Sequence, residues 1–388
     1  MNIDFTYQNP TRIHFGRTAI NHLADELGNY GENILLVYGK SSIKRIGLYD
    51  KVMQIMKECG KRVTELAGIN SNPRYSQVME GCRMVRENNI DLILGVGGGS
   101  VIDCCKGISM AAYCTEDAWQ KYWIRREPIN NRIVPVASIL TMAGTGSEMN
   151  SGSVITNEEL KVKQGVVQPL WQMAPKFSIL NPEYTFSVPR IQMVSGIFDT
   201  FSHLMEQYCS GDDDCTTDYL IEGLMRSLIV AARRALVNAE DYEARSNIMW
   251  CATMGLNKIL GVSKTQDWEV HNIEHQLGAY TDCPHGVGLA IISPAYYRLI
   301  CHFGLHRFVR FARNIWDVPA DFGTDEQIAL EGISRFEKFI HELGMPTTLR
   351  EIGATEEMLP KIAATALKAG GYHTITTDEI LAVLKECW

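Results

Sequence analysis

The chain has 388 residues, 46% hydrophobic and 21% charged, which is enough length and apolar content for two compact domains with buried cores. Its formal net charge of -8 excludes nucleic acid or an anionic membrane surface as the main partner. No apolar run approaches membrane-spanning length, and the opening MNIDFTYQNPTRIHFG has no basic stretch followed by an apolar one, so a cytoplasmic protein is expected.

In chain order, Asn33-Ile-Leu-Leu-Val-Tyr38 is a buried-strand pattern ending at Gly39, followed by a helical stretch from about Tyr49 to Cys59. Arg62 to Leu66 reads as a strand, Tyr75 to Glu87 as a helix, and Asp91 to Val96 as a strand running into glycines. Ile133 to Ala137 and Phe177 to Leu180 supply further strands. Strands alternating with helices predict a parallel sheet covered on both faces. After Asn181-Pro182 the pattern changes: apolar residues recur at helical spacing through Met193 to Tyr208, Tyr219 to Val237, Ala244 to Leu260, and from Asp267 onward. The expected organisation is therefore an α/β dinucleotide-binding domain over 1–182 and a helical metal-binding domain over 183–388. The eleven cysteines form no CxxC pair and are expected to be reduced and mostly buried.

The segment Asp91 to Asp103 places Gly97-Gly98-Gly99-Ser100 between a strand and a helix start. Glycines let the backbone approach a pyrophosphate, and a helix N-terminus offers free N–H groups with the positive end of its dipole. Ser100 is expected to add a hydroxyl donor and to cap the helix. The bland alternative is a tight turn without a ligand. A second loop, Ser138 to Glu148, gathers Thr141, Gly144, Thr145, Gly146 and Ser147 where a cofactor lies in such sheets. The first loop reads Gly39-Lys-Ser41-Ser42-Ile-Lys44-Arg45, with no Asp or Glu before Gly47. Hydroxyls and cations there suit the 2′-phosphate of NADP(H), with Ser41 and Ser42 near it and Lys44 or Arg45 assisting; a solvated basic turn is the competing reading.

Asp199 and His203 stand at i and i+4, as do His271 and His275, so each pair shares a helix face. His285 follows in a Pro-His-Gly turn. Asp199, His203, His271 and His285 together offer three nitrogens and one oxygen, a set that suits Zn2+ or Fe2+. His275 is left over, one turn from a ligand, for proton transfer. His302 and His306 share the spacing without a carboxylate nearby in sequence and are read as surface or structural.

Taken together, Gly97-Gly-Gly-Ser100-x-x-Asp103, Gly144-Thr-Gly-Ser147-Glu148, Asp199-xxx-His203, His271-xxx-His275 and Pro284-His285-Gly286 resemble the iron-containing, group III alcohol dehydrogenases. The likeness begins at Asn9-Pro-Thr-Arg-Ile-His-Phe-Gly16, includes Leu180-Asn-Pro-Glu183, and fades beyond about residue 310. Gly39-Lys-Ser-Ser-Ile-Lys-Arg, Ser147-Glu-Met-Asn150-Ser-Gly152 and Trp268 are similar to the NADPH-dependent butanol dehydrogenase and aldehyde reductase branch. The resemblance implies a Rossmann-like N-terminal domain, an all-helical C-terminal domain and an active site in the cleft between them. It implies that Asp199, His203, His271 and His285 hold a metal, iron or zinc. Gly97, Gly98, Gly99 and Ser100 would hold the pyrophosphate, Asp103 would help the nicotinamide side, and Thr141, Ser147, Lys163 and Leu180 would line the cofactor. Lys163 and His275 would serve catalysis, Trp268 the substrate pocket, and the protein would be a homodimer. The expected activity is hydride transfer between NADP(H) and short-chain primary alcohols or aldehydes. The competing readings are NAD-dependent polyol oxidation like that of glycerol dehydrogenase, a dehydroquinate-synthase-like activity, and a catalytically silent nucleotide- or metal-binding regulator.

Overall fold

A computed structural model describes residues 3–212, 216–368 and 370–388 of the chain. They form two compact units. One comprises Gln8–Pro189 with Glu240–Met249; the other comprises the first residues up to Tyr7, Arg190–Ala239 and Trp250–Trp388.

The first unit is built on strands β1 (Arg12–Phe15), β2 (Asn33–Tyr38), β3 (Arg62–Leu66), β4 (Leu92–Gly97), β5 (Val136–Leu140) and β8 (Phe177–Leu180). They pair in the order β1-β8-β5-β4-β2-β3, all parallel. The inner strands are apolar on both faces because each face carries helices. Helix α1 (Leu48–Glu58) contributes Leu48, Val52 and Met56 to one core. Helices α2 (Tyr75–Glu87) and α3 (Gly99–Ala111) build the other, with Val78, Cys82, Val85, Cys105 and Ile108. The chain runs outward from β2 to β3, returns to β4, and continues to β5 on the opposite side. The order of strands thus reverses between β2 and β4, and the crevice beyond their carboxyl ends is where such sheets take ligands.

Two local features depart from what the sequence suggests. The strand expected at Ile133 to Ala137 lies at Val136–Leu140, since Pro135 has no N–H for the ladder and serves only through its carbonyl, accepting from the Ile93 amide at 2.9 Å. The antiparallel hairpin of β6 (Gly152–Asn157) and β7 (Val162–Val167) was not foreseen. Its polar alternation resembles a surface loop, but α3 holds it: Asp103 Oδ2 accepts from the Val154 amide at 2.9 Å.

The second unit is helical. Its main elements are α4 (Arg190–Tyr208), α5 (Thr216–Val237), the end of α6 (Tyr242–Leu256), α7 (Glu269–Thr281), α8 (His285–Ile300), α9 (Leu305–Trp316), α10 (Asp325–Leu343) and α11 (Thr377–Glu386). Phe198, Phe201, Phe311, Phe336 and Phe339 interleave their rings at its centre. Among the described residues no helix is long and apolar enough to cross a membrane. The ten described cysteines are free thiols, and all but Cys59 and Cys114 are buried.

Candidate active site

Three helices of the second unit converge on one carboxylate oxygen. Helix α4 presents Asp199 and His203 one turn apart, α7 presents His271, and α8 begins at His285. The Nε2 atoms of His203, His271 and His285 stand 3.4, 3.6 and 3.6 Å from Asp199 Oδ1. These separations are too long for good hydrogen bonds, and among the described residues neither Asp199 Oδ1 nor His271 Nε2 has any hydrogen-bond partner. They match the edges of a coordination tetrahedron, about 3.3–3.6 Å for metal–ligand bonds of about 2.0–2.2 Å. The donor atoms of Asp199, His271 and His285 lie within 4.8 Å of one another, and His203 stacks on His271 at 4.7 Å between ring centroids. Asp199, His271 and His285 fit a divalent cation, with His203 Nε2 3.4 Å from the carboxylate oxygen of Asp199.

His285 reaches this point because α8 starts hard against α4. Gly286 donates its N–H to Ser195 Oγ at 3.0 Å. A methyl group on Gly286 would lie 2.7 Å from the Ser195 carbonyl carbon and 2.9 Å from its Oγ, so only glycine permits the approach. The residue expected in a turn is therefore the first of a helix, with Pro284 as its N-cap.

Two carboxylates stand behind the imidazoles. His271 Nδ1 bonds Glu206 of α4, and His285 Nδ1 bonds Glu274 of α7. Both carboxylates are buried. Such partners fix the ring orientation and tautomer of a metal-binding histidine and raise its basicity. Burial opposes charge on His271, but Glu206 and Asp199 outweigh it and push its pKa up to about 10. Burial dominates at His203, whose pKa falls to about 4. Burial alone would raise the Asp199 carboxyl, yet His203 and its neighbours bring it down to about 2. The cluster calls for positive charge at its centre, which is what a divalent ion provides.

Two further residues border the cluster. His275 is half-buried, its ring 5.7 Å from that of His285 and 6.3 Å from that of His271. Trp268 sets its ring 5.5 Å from His271 and 6.0 Å from His203, in a left-handed backbone conformation at φ 69°. His302 and His306 lie elsewhere on the surface; His306 pairs with Asp212 at 3.4 Å.

In the first unit the three glycine- and hydroxyl-bearing loops follow the neighbouring strands β2, β4 and β5. Helix α3 opens at Gly98 without any side-chain cap, leaving its first N–H groups for an anion such as a pyrophosphate. The expected cap by Ser100 is wrong. Ser100 lies inside the first turn, and its hydroxyl donates to the Ser71 carbonyl instead. Crowding by the chain itself explains two of the glycines: a methyl group on Gly97 or Gly99 would come within 2.8 Å of Val101 Cβ or Thr145 Cβ, respectively. Thr141 donates its amide to the Gly97 carbonyl at 3.0 Å, locking the two loops together.

The Ser147 hydroxyl is buried between Asp103, to which it donates, and Lys106, from which it accepts at 2.8 Å. Lys106 also donates to Asn150 Oδ1 and the Gly152 carbonyl. Lys163 is buried on β7 opposite Thr156, and the Leu180 side chain is buried with Ile102, Leu140 and Met249. In the loop after β2, Gly39 accepts from the Gly68 amide, and Ser41 and Ser42 are exposed. Lys44 sits 4.6 Å from the ring centroid of Tyr49. Tyr38 and Tyr49 both donate to the carboxylate of Glu65, at 2.7 and 3.0 Å.

Comparison with known proteins covers both halves of the chain. The model of the iron-containing alcohol dehydrogenases matches residues 10–182, and that of the family's C-terminal domain matches residues 193–388. The chain belongs to the iron-containing alcohol dehydrogenase family. Its chemistry is alcohol–aldehyde oxidoreduction. The dehydrogenase is 42% identical to a probable NADH-dependent butanol dehydrogenase of Bacillus subtilis, over 98% of this chain and 99% of the relative. It is 33% identical to an NADPH-dependent aldehyde reductase of Escherichia coli, over 97% of both. The crystal structure of an NADH-dependent butanol dehydrogenase from Thermotoga maritima superposes with a TM-score of 0.94 at 33% identity, covering 99% of this chain and 98% of that one.

Sequence reasoning missed Glu206, Glu274 and Lys106. Glu206 is seven residues after Asp199 and Glu274 three after His271, so helical spacing alone puts each on its ligand face. Lys106 lies three after Asp103, but a lysine on a helix reads as solvent-facing until its burial is seen.

Proposed function

We propose that this dehydrogenase interconverts short-chain aldehydes and primary alcohols with NADP(H), using Fe2+ or Zn2+ held by Asp199, His203, His271 and His285. The observation that carries the reading is the set of three imidazole nitrogens 3.4–3.6 Å from one buried carboxylate oxygen without a hydrogen bond. When bound, the divalent cation supplies Lewis-acid polarisation of the substrate oxygen. Asp199 contributes the anionic ligand, while Glu206 and Glu274 hold His271 and His285 with Nε2 toward it. Trp268 walls the site with an apolar ring that favours an alkyl chain over water. His275 moves a proton between the substrate oxygen and solvent at its imidazole nitrogen, with Lys163 assisting at the nicotinamide ribose. The uncapped start of α3 and Gly97 to Ser100 receive the pyrophosphate, and Thr141 and the Asp103–Ser147–Lys106 group keep the adjoining loop in place. Exposed Ser41 and Ser42 beside Lys44 support NADP(H), because hydroxyls and cations accept a 2′-phosphate. The same reading makes the protein a cytoplasmic homodimer.

NADH is the second reading, favoured by one observation: the Glu65 carboxylate stands against Tyr38, at the end of β2. The relatives described as NADH-dependent support it as well. The deciding measurement is oxidation of NADPH and NADH with butanal by anaerobically prepared protein, metal-free and loaded with Fe2+ or Zn2+. Metal-dependent turnover preferring NADPH is expected. Preference for NADH overturns the cofactor assignment, and turnover only of polyols overturns the substrate.

A further inference from the structure

Asp199, His203, His271 and His285 do not exhaust the donors at this point of the helical unit. Glu274 and His275 follow His271 on α7, and their donor atoms lie within 4.8 Å of each other and of one on His285. Among the described residues, Glu274–His275–His285 and Asp199–His271–His285 are the two donor groups gathered this closely. They share one ring. His285 has Nε2 3.6 Å from Asp199 Oδ1 and Nδ1 bonded to Glu274, so its two nitrogens border an inner and an outer position.

The outer donors are held in place. Glu274 is fully buried, and α8 packs against its methylene groups: a methyl group on Gly288 would lie 2.8 Å from Glu274 Cγ. His275 is one turn beyond His271, its ring 6.3 Å from that of His271 and 5.7 Å from that of His285. The two groups differ in access. Asp199 and His271 are buried, whereas His275 and His285 are half-buried, so the outer group is the one that meets solvent. Charge leaves room for a second ion as well. Asp199, Glu206 and Glu274 are three buried carboxylates, and one divalent cation offsets two of them. Nitrogen and oxygen donors suit the same first-row divalent ions at both positions.

Building on the reading of Asp199, His203, His271 and His285 as the metal set, we propose that Glu274, His275 and His285 form a second, weaker position for a divalent cation, and that filling it inhibits the enzyme. The ligand class is a first-row ion such as Zn2+ or Co2+. In the proposed reaction His275 moves the proton at its imidazole nitrogen. An ion on that nitrogen takes the lone pair that accepts the proton. It also competes for the Glu274 carboxylate that braces His285, so both effects slow turnover.

The test titrates chelator-stripped, metal-free protein with Co2+, followed by calorimetry and by absorption. Bonding of Co2+ to any of the chain's thiols would show as a near-ultraviolet charge-transfer band. The parent is expected to take two equivalents, the second more weakly, with no such band at either. His275→Ala should keep the first equivalent and lose the second, and His275→Glu, which restores a donor, should regain it. Butanal reduction by the parent should fall about tenfold or more as the second equivalent binds, toward the roughly hundredfold loss of a proton-transfer group. The slower His275→Ala enzyme should not respond to excess Co2+. A single equivalent in the parent, or a second one that survives His275→Ala, overturns the proposal. Loss in His275→Ala without recovery in His275→Glu would mark a disturbed helix and overturn it too. Asp199→Asn is expected to lose the first equivalent; if it loses none, the inner metal set is refuted, while the His275 variants still decide the outer position.

Discussion

Replacing Gly286 with alanine probes the centre through a residue that is not a ligand. The new methyl group would sit 2.7 Å from the Ser195 carbonyl carbon, where carbon atoms ordinarily keep about 3.5–4.0 Å. Relief needs roughly 1 Å of separation between the start of α8 and α4, an overpacking that costs about 1–3 kcal/mol. His285 begins α8, and its Nε2 stands 3.6 Å from Asp199 Oδ1. Moving it away by that amount gives about 4.6 Å, more than the roughly 4.2 Å that two bonds of about 2.1 Å span even when opposite each other. One ion then cannot bind both residues at full strength. Titration against a competing chelator is expected to show Zn2+ affinity reduced by at least about a hundredfold, with helical circular dichroism retained. A folded Gly286→Ala protein with affinity within twofold of the parent would refute the reasoning, because His285 would then not depend on this contact.

Two further substitutions test other parts of the structure. His275→Ala is expected to keep its metal, measured by elemental analysis, and to slow turnover by about a hundredfold, the usual scale for a lost proton-transfer group; loss of the metal would place His275 among the ligands. Asp218→Asn is expected to destabilise the helical unit by about 3–5 kcal/mol, since it leaves buried Lys264 and Arg307 facing an amide. Burial opposes ionisation of Asp218, but Lys264 and Arg307 outweigh it and hold its pKa below the ordinary 3.8. A depressed carboxyl adds stability that is fully present above pH 3.8 and is lost as pH falls through the folded value. Denaturant unfolding of Asp218→Asn should therefore lose part of the parent's pH dependence below about pH 4; an unchanged acid limb would assign that dependence elsewhere.

The parallel sheet and the helical second half were legible because their patterns are long and regular. Val37 or Leu94 is buried whichever way its strand faces, so a continuous apolar run suffices. The hairpin β6–β7 was not legible, because its burial comes from Asp103 and Trp123 reaching it from far along the chain. The register of β5 was missed for a local reason, the proline before it. Asp199, His203 and His271 show in the sequence through helical spacing. The placement of His285 depends instead on Gly286 meeting Ser195, a contact between residues 91 apart. The first loop shows the limit most clearly: the absence of an acid from Gly39 to Gly47 is visible in sequence, whereas Glu65 arrives from the neighbouring strand β3, where its pairing opposite Leu36 puts it beside Tyr38.

The same dependence on distant partners makes Glu206 and Glu274 informative. Helix α4 supplies Asp199 and His203, and through Glu206 it also orients His271 of α7; α7 in turn orients His285 of α8 through Glu274. Helices α4 and α7 thus each carry a ligand candidate together with the brace for the next helix's candidate. Glu206→Gln keeps the shape but removes the negative charge behind His271, and losing such a partner typically lowers metal affinity about ten- to hundredfold. Glu274→Gln should do the same through His285. The two braces act on different rings, so their effects on Zn2+ affinity should multiply in the double variant if each only orients its own histidine. A double variant no weaker than the worse single one would mean that the braces share one task, fixing α7 between its neighbours. In that case His203, whose Nδ1 has no hydrogen-bond partner among the described residues, would be held by packing against Trp268 and His271, and the centre would owe its geometry to helix placement more than to hydrogen bonds.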